Sequence, residues 1–375
     1  MSAQSKATGA ILLAAGGTGG HMCPAEALAR ALIARGRRVI LVTDRRGRGF
    51  GDRLPAVEVF RITAAGLAGG SLLGRARGIA QLLRGYLQAR RLVIRLRPTL
   101  VVGFGGYASV PTVYAAQRAG VATLLHEQNA VLGRANRMLA AQARAVATSF
   151  PETAALGKAT PRLTGNPVRP AIAALAAEPY PAIDGSLRLL VLGGSQGARV
   201  FARLIPAALE ALAAERRRRI AIAQQCRPED LEQVRSAYAA LGQPAELADF
   251  FSDVAERLAV AHLVISRSGA STVAELAAAG RPAILLPYPH ATDDHQTANA
   301  AAFAGTGAGW LMPEAEASPE RLAQRLAMLL DDPAALTDAA AAARRFSPGD
   351  AAARLADLTE TLIPGNSGHP QGVAA

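Results

Sequence analysis

The chain is 375 residues long, more than one hydrophobic core usually holds, and half of its residues are hydrophobic. We therefore expect a globular protein of two domains. The sequence contains no apolar run of the roughly 18 residues that a membrane-spanning helix needs. Its two cysteines, Cys23 and Cys226, exclude a disulfide framework and fit a cytosolic location.

The net charge of +12 is unevenly distributed along the chain. Residues 1–170 hold 24 Lys and Arg against 6 Asp and Glu, a net +18, whereas the remainder holds 17 against 23, a net −6. A strongly basic half can attract nucleic acid, anionic lipid or an acidic substrate. Aromatic residues make up only 4% of the chain, which argues against a binder that stacks single-stranded bases on aromatic rings.

Strand-like and helix-like segments alternate through the first half. After a loose lead-in over residues 1–8, the pattern predicts strands at 10–15, 39–43, 57–62, 100–104 and 122–126. It predicts a helix over 24–35, with Pro24 in its first turn and Gly36 after its end, and a long basic amphipathic helix over 72–96.

The second half repeats this rhythm, with strands expected near 187–192, 218–223, 262–266 and 283–286. The fold class expected is α/β, with two doubly wound parallel sheets that bind ligands at the carboxyl ends of their strands. The predicted division is a first domain over 7–170, a linker over 171–186 and a second domain over 187–346. A helix over 347–363 is expected to pack back on the first domain, and 364–375 to form a disordered tail.

Two glycine-rich turns stand at corresponding places in the two halves. Gly16–His21 and Gly193–Arg199 each follow an apolar strand and precede a helical pattern. Glycine lets a backbone approach closely, and the first amides and the dipole of a helix attract an anion. A nicotinamide site is the weaker interpretation, although Asp44 ends the second strand, because the glycine spacing is not G-x-G-x-x-G and the second turn would have no role.

Seven motifs in order resemble the MurG family of UDP-N-acetylglucosamine–N-acetylmuramyl-(pentapeptide) pyrophosphoryl-undecaprenol N-acetylglucosamine transferases. They are GGTGGH at 16–21, GFGGYAS at 103–109, HEQNAVLGRAN at 126–136, TGNPVR at 164–169, GGSQGAR at 193–199, SRSGASTVAEL at 266–276 and DDHQTANA at 293–300. The resemblance implies a GT-B fold, two Rossmann-like domains facing across a cleft. It also implies inverting transfer of GlcNAc from UDP-GlcNAc to the MurNAc 4-hydroxyl of lipid I, giving lipid II in peptidoglycan synthesis.

For the donor, the resemblance and the turn chemistry together point to one set of residues. Glu275, on a helix that begins after Gly269, suits the ribose hydroxyls, and Gln296 suits the sugar hydroxyls. Phe251 is expected to hold the uracil mainly through its backbone. The full predicted set is Thr18, Gly19, Gly20, Asn129, Arg169, Ser195, Gln196, Phe251, Ser271, Thr272, Glu275 and Gln296.

For the acceptor, we expect contacts from Gly17, His21, Tyr107, His126 and Glu127. His21 is the predicted catalytic residue. It can act as the general base for the acceptor hydroxyl or bind the lipid diphosphate, and the sequence leaves both roles open. We expect neither a metal nor another cofactor, because GT-B enzymes of this type work without a bound metal. Asp293 and Asp294 are better read as loop surface than as metal ligands.

The basic helix over 72–96 predicts docking on an anionic membrane surface. A basic amphipathic helix gains roughly 1 kcal/mol per basic residue near anionic lipid. The expected contacts are Arg75, Ile79, Leu82, Leu83 and Tyr86, at the cytoplasmic face of the inner membrane, and cell-wall synthesis proteins are the expected protein partners. Two alternatives remain: a GT-B transferase with another lipid acceptor, and a nucleic-acid-binding protein. The second gives the glycine turns no role, so we expect no nucleic-acid partner.

Overall fold

A computed structural model describes residues 9–16, 19–45, 57–64, 72–194 and 197–364, with only the backbone given for Gly19 and 72–77. The chain divides into two compact units. One is formed by residues up to Pro167 and from Asp350 onward, and the other by Val168–Gly349. The lead-in predicted for 1–8 and residues 365–375 of the tail predicted for 364–375 lie outside the described residues.

The first unit is built on a parallel sheet of seven strands in the order β3-β2-β1-β4-β5-β6-β7. The strands are β1 Ile11–Ala14, β2 Val39–Thr43, β3 Glu58–Arg61, β4 Leu100–Gly103, β5 Ala122–Glu127, β6 Ala145–Thr148 and β7 Pro161–Leu163. The helices between them are α1 Gly19–Ala34, α2 Leu72–Leu96, α3 Ser109–Arg118 and α4 Arg134–Ala140.

Side chains of β1 alternate between two separate hydrophobic clusters. Ile11 and Leu13 belong to one cluster, and Leu12 and Ala14 to the other. All four are fully buried. The sheet is therefore covered on both faces, which explains why its central strands are continuous apolar runs.

Helix α1 begins five residues earlier than the sequence predicts. It includes Gly19 and Gly20, so Pro24 is its sixth residue and not part of its first turn. Proline has no N–H and cannot donate to the carbonyl four residues earlier, here that of Gly20. The prediction was wrong because it placed the proline by its usual preference for the first turn.

The second unit is built on a parallel sheet of six strands in the order β10-β9-β8-β11-β12-β13. Its strands are β8 Leu187–Leu192, β9 Ile220–Gln225, β10 Ala245–Ala248, β11 Leu263–Ser266, β12 Ala283–Leu285 and β13 Gly309–Leu311. Its helices are α5 Pro170–Ala173, α6 Arg199–Glu210, α7 Ala214–Arg217, α8 Leu231–Ala240, α9 Val254–Val260, α10 Ala270–Ala279, α11 His295–Gly305, α12 Pro319–Asp331 and α13 Pro333–Phe346.

The segment 171–186, expected to be a linker, packs on the second unit. Ile172 and Leu175 are buried, and the Tyr180 hydroxyl donates a hydrogen bond to the His262 carbonyl at 2.7 Å. Helix α5 also contacts α10. The alanine- and proline-rich composition suggested a linker, but apolar side chains spaced through the segment anchor it.

The last helix, α14 (Ala351–Thr361), packs on α1 in the first unit. Arg35 forms ion pairs with Asp357 at 2.7 Å and Glu360 at 2.8 Å, and Arg37 pairs with Glu360 at 2.6 Å. Leu355 joins the same hydrophobic cluster as α1. Within the described ranges, the helices lack the combination of length and apolarity needed to cross a membrane.

Candidate active site

His21 lies in the first turn of α1 and packs on the glycine pair that follows β4. Gly105 and Gly106 adopt φ values of +83° and +71°, the left-handed region that glycine tolerates. A Cβ at residue 106 would lie 3.3 Å from His21 Cδ2 and 3.3 Å from the Gly16 carbonyl oxygen. The glycine loop therefore lets its backbone close on the histidine ring. Gly17 and Thr18 lie outside the described residues.

Gln128 connects His21 to the buried His126. The Gln128 Oε1 atom lies 3.0 Å from His21 Nδ1. Its Nε2 lies 3.1 Å from the carbonyl oxygens of Phe104 and His126 and 2.9 Å from His126 Nδ1. His126 Nε2 in turn lies 3.2 Å from the Gly165 carbonyl oxygen. These contacts join the ends of β4 and β5 to the turn after β7.

Burial keeps His126 neutral. The side chain is completely buried, and this desolvation lowers the pKa of the imidazole from 6.5 to about 4. The hydrogen bond to Gly165 acts against the shift, and the nearby His21 adds to it. At neutral pH, His126 is therefore an uncharged member of the hydrogen-bond network.

The Glu127 carboxylate accepts four hydrogen bonds from the loop that follows it and from the first turn of α4. Oε1 accepts from the backbone and side-chain nitrogens of Asn129 at 3.1 and 3.2 Å. Oε2 accepts from the backbone of Gly133 at 2.9 Å and from Asn136 at 2.8 Å. Glu127 is 2% exposed and orders the loop that carries Asn129, whereas Tyr107 is 37% exposed. Direct acceptor contact by His126, Glu127 or Tyr107 stays a prediction.

In the second unit, Gln225 joins the glycine turn after β8 to the segment after β10. The Gly193 N–H donates to Gln225 Oε1 at 3.2 Å. Gln225 Nε2 donates to the carbonyls of Gly194 at 3.4 Å and Asp249 at 3.1 Å. A Cβ at residue 193 would lie 2.5 Å from the Ala198 nitrogen, so the turn requires glycine there. Ser195 and Gln196 lie outside the described residues.

Helix α10 brings three predicted donor residues together. Gly269 precedes the helix and offers no side chain to cap its N-terminus, where Ser271 and Thr272 stand. One turn later, the Glu275 carboxylate meets the Arg169 guanidinium at two points, Nε–Oε1 at 2.9 Å and Nη2–Oε2 at 3.2 Å. Burial raises the pKa of the Glu275 carboxyl, and the Arg169 ion pair acts to lower it. The Glu275 carboxylate thus lies against the Arg169 guanidinium, in the helix that begins with Ser271 and Thr272 in its first turn.

Ser268 joins the start of α10 to α11. Its hydroxyl donates to the Gln296 carbonyl at 2.8 Å, and its own carbonyl accepts from Asn299 Nδ2 at 3.0 Å. The Gln296 side-chain oxygen accepts from the Tyr288 backbone at 3.0 Å. Asn299 is fully buried.

Phe251 is buried beneath the guanidinium of Arg257, which lies 3.8 Å from the ring centroid. Arg257 is held in place by Glu246 and Asp253. The Phe251 ring is therefore packed against the Arg257 side chain. Contact of the Phe251 backbone with the uracil stays a prediction. Asp293 and Asp294 lie in an exposed turn, and the described residues contain no group of three His, Cys, Asp or Glu side chains fit for a metal.

Helix α2 exposes a face of large apolar residues. Ile79, Leu83, Leu87 and Ile94 are each at least half exposed. Their spacing of four, four and seven residues places them on one side of the helix. Leu82 and Tyr86 are half-buried, and Tyr86 contacts Tyr114 of α3 with ring centroids 5.6 Å apart. The Arg75 side chain is not among the parts of the chain that the structure describes.

Sequence reasoning missed three residues that shape these sites. Gln128 and Gln225 organise the two glycine turns. Arg267 donates to the carbonyls of Leu286 and Pro287 at 3.2 and 3.0 Å and pairs with Glu314 at 2.6 Å. Gln128 lies inside the motif at 126–136 and Arg267 inside the motif at 266–276. Their place in these motifs was the sequence signal that could have identified them.

Comparison with known proteins agrees with this architecture. The model of the glycosyltransferase family 28 N-terminal domain matches residues 11–148, and that of the C-terminal domain matches residues 188–359. The curated UDP-N-acetylglucosamine–N-acetylmuramyl-(pentapeptide) pyrophosphoryl-undecaprenol N-acetylglucosamine transferases of Rhodospirillum centenum and Rhodospirillum rubrum are 58% and 57% identical to the chain. The alignments cover 92% and 93% of this chain, and 93% and 90% of theirs.

The crystal structure of Acinetobacter baumannii MurG is similar with a TM-score of 0.78 and 30% identity, covering 94% of this chain and 99% of that one. The two parallel sheets and the match to both family domains confirm the predicted GT-B fold. The chain belongs to glycosyltransferase family 28 and, within it, to the MurG family.

Proposed function

We propose that this protein transfers GlcNAc from UDP-GlcNAc to the MurNAc 4-hydroxyl of undecaprenyl-diphospho-MurNAc-pentapeptide (lipid I), with inversion, and so makes lipid II for peptidoglycan synthesis. The observation that carries the proposal is the 58% identity, over nine-tenths of both chains, to the Rhodospirillum centenum transferase whose name states this donor and acceptor. The chain also carries all seven of the sequence motifs that resemble this family, including both glycine turns.

The second unit holds the donor in this proposal. The amides at the start of α10 and the turn after β8 are suited to the diphosphate, and Arg169 supplies a positive charge. Glu275 accepts hydrogen bonds from the ribose hydroxyls, and Gln296 binds the sugar. The pairing of Arg169 with Glu275 at 2.9 and 3.2 Å supports this, because the side chains proposed to bind the diphosphate and the ribose are in direct contact.

The first unit holds the acceptor, with His21 as the general base. The imidazole takes the proton of the MurNAc 4-hydroxyl while that oxygen attacks C1 of GlcNAc. The bond between C1 and the diphosphate oxygen breaks, and UDP leaves with the electron pair. The proton then passes from His21 to solvent. A positioned base of this kind contributes roughly 10²–10⁴-fold to the rate.

The membrane contact is a separate part of the proposal. The exposed apolar face of α2, together with the exposed Arg84, Arg90, Arg91, Arg95 and Arg97, suits an anionic lipid surface. Because a polyprenyl tail stays in the bilayer, this face would bring the first unit to its acceptor at the cytoplasmic side. Contacts with other cell-wall synthesis proteins stay a prediction.

The donor assignment is tested by Glu275→Ala and Gln296→Ala. We expect both variants to remain folded by circular dichroism and to lose transfer of labelled GlcNAc to a lipid I analogue. Glu320→Ala, which removes an exposed carboxylate from the same unit, is the matched control and should keep full activity. Full activity in both site variants would contradict the donor assignment.

A further inference from the structure

Gln128 is almost completely buried between two histidines, and its amide orientation is determined by its neighbours. Only 3% of the residue is exposed. One end of the amide lies 3.1 Å from the carbonyl oxygens of Phe104 and His126. A carbonyl oxygen only accepts hydrogen bonds, so the end that faces both carbonyls must be the NH₂ group. The amide oxygen therefore faces His21.

This orientation determines which nitrogen of His21 carries a proton. The Gln128 oxygen is an acceptor and lies 3.0 Å from His21 Nδ1. The hydrogen bond forms only when Nδ1 carries the proton. A neutral imidazole with a proton on Nδ1 has its lone pair on Nε2. Among the described residues, no hydrogen bond reaches that nitrogen.

His126 reinforces the same arrangement from the other side of Gln128. Its Nε2 lies 3.2 Å from the Gly165 carbonyl oxygen and must donate. Its Nδ1 then has a lone pair and accepts from the Gln128 NH₂ group at 2.9 Å. Burial lowers the pKa of His126 to about 4, which keeps the ring in this neutral form. The whole chain of hydrogen bonds thus has one consistent direction, from His21 through Gln128 and His126 to Gly165.

We propose that Gln128 is a positioning residue that holds His21 protonated on Nδ1, so that Nε2 is the atom that accepts the proton of the acceptor hydroxyl. The inference rests on the proposed function, in which His21 is the base. Gln128 does not touch the reacting atoms. It selects the tautomer, as the carboxylate partner of a catalytic histidine does in hydrolases, but without adding a negative charge.

The tautomer is measured directly by two-dimensional ¹H–¹⁵N NMR of protein labelled with ¹⁵N-histidine. The chain has six histidines, and His21→Asn identifies the His21 signals. We expect the Nδ1–H form in the wild-type protein without any ligand. We expect Gln128→Met to convert His21 to the Nε2–H form and to lower kcat by roughly 10²-fold, with KM for UDP-GlcNAc changed less than about twofold.

Gln117→Met is the matched control. Gln117 is a glutamine of the first unit that is partly buried, and its side chain donates a hydrogen bond to the Leu139 carbonyl at 2.9 Å instead of contacting His21. Its variant should keep both the His21 tautomer and kcat.

An Nε2–H form in the wild-type protein, or an Nδ1–H form retained in Gln128→Met, would overturn the proposal. The wild-type measurement needs no variant, so it stands even if Gln128→Met does not fold. Failure of the proposed function has a different signature, because a fully active His21→Asn enzyme would contradict the role of His21 while the wild-type tautomer remained as measured.

Discussion

The guanidinium of Arg169 forms a two-point ion pair with the carboxylate of Glu275, with Nε–Oε1 at 2.9 Å and Nη2–Oε2 at 3.2 Å. Glu275 is the more buried partner, with a side chain 19% exposed against 46% for Arg169. Burial raises the pKa of the carboxylate proposed to bind ribose, and the neighbouring guanidinium acts against that rise. The two residues are 106 positions apart in the sequence and were predicted separately.

Removing Arg169 should make donor binding sensitive to pH. Burial raises the pKa of Glu275 and Arg169 lowers it, so in Arg169→Met only the raising effect remains. We expect UDP-GlcNAc affinity to fall about tenfold at pH 8 and further at pH 6, because a protonated carboxyl accepts ribose hydrogen bonds less well. Isothermal titration calorimetry at both pH values measures this. Arg169→Lys keeps the charge and should show a smaller pH effect. Equal losses at both pH values in Arg169→Met would contradict the prediction.

Gln225→Met should weaken donor binding by loosening the second glycine turn. The variant leaves the Gly193 N–H without its acceptor and two carbonyls without a donor. We expect about a tenfold rise in the Kd for UDP and a free energy of unfolding lower by about 2 kcal/mol. Gln224→Met is the control, because Gln224 bonds instead to Phe201 and Tyr238. It should lose similar stability and keep the affinity for UDP. Equal affinity in both variants would argue against the role of Gln225.

The apolar face of α2 should be needed for membrane binding. We expect the wild-type protein to float with vesicles that contain phosphatidylglycerol, and the double variant Ile79→Ser, Leu83→Ser to bind about tenfold less, since two exposed apolar side chains are lost. Met328→Ser removes an apolar side chain that is 53% exposed in the second unit and should float normally. Failure of the wild-type protein to bind either anionic or neutral vesicles would remove the membrane proposal.

Acid should destabilise the first unit through His126. Its pKa is about 4 in the folded protein and 6.5 in the unfolded chain. Below pH 6.5 the unfolded chain therefore takes up the proton first, and stability is lost as the pH falls toward 4. By pH 5 the loss from this residue is about 2 kcal/mol. Urea unfolding of wild-type protein and His126→Gln at pH 7.5 and 5.0 measures the difference. The same dependence on pH in both proteins would contradict this assignment.

The main elements were predictable because their sequence patterns are strong. The helix predicted over 72–96 matches Leu72–Leu96, and the strand over 187–192 matches Leu187–Leu192. Of the strands that were not predicted, β7, β10 and β13 are edge strands that are largely exposed or half-buried, and β6 has a single large apolar side chain, Val146. Such segments lack the apolar run that distinguishes a buried strand from a loop, and their pairing depends on strands that are already in place.

The site was predictable as a set of residues but not as a network. The motifs contain His21, Arg169 and Glu275, and the glycines around them indicate anion binding. The partners of Gln128 and Gln225 include a histidine side chain 107 residues away and backbone atoms up to 32 residues away, brought close by strand order. A hydrogen bond of this kind leaves no periodic pattern in the sequence. The buried hydrogen-bond partners of Glu127 could not be inferred either, because the four donors come together only when the loop after β5 and the start of α4 fold around it.

One transfer reaction tests the proposed activity itself. Purified full-length protein is mixed with UDP-GlcNAc carrying a radiolabelled sugar and with a lipid I analogue, and the product is isolated and its linkage determined by NMR. The proposed function requires a labelled GlcNAc–MurNAc product with a β-1,4 linkage, which forms by inversion at C1. An α-linked product, or no transfer to the lipid I analogue under conditions where UDP-GlcNAc binds, would contradict it.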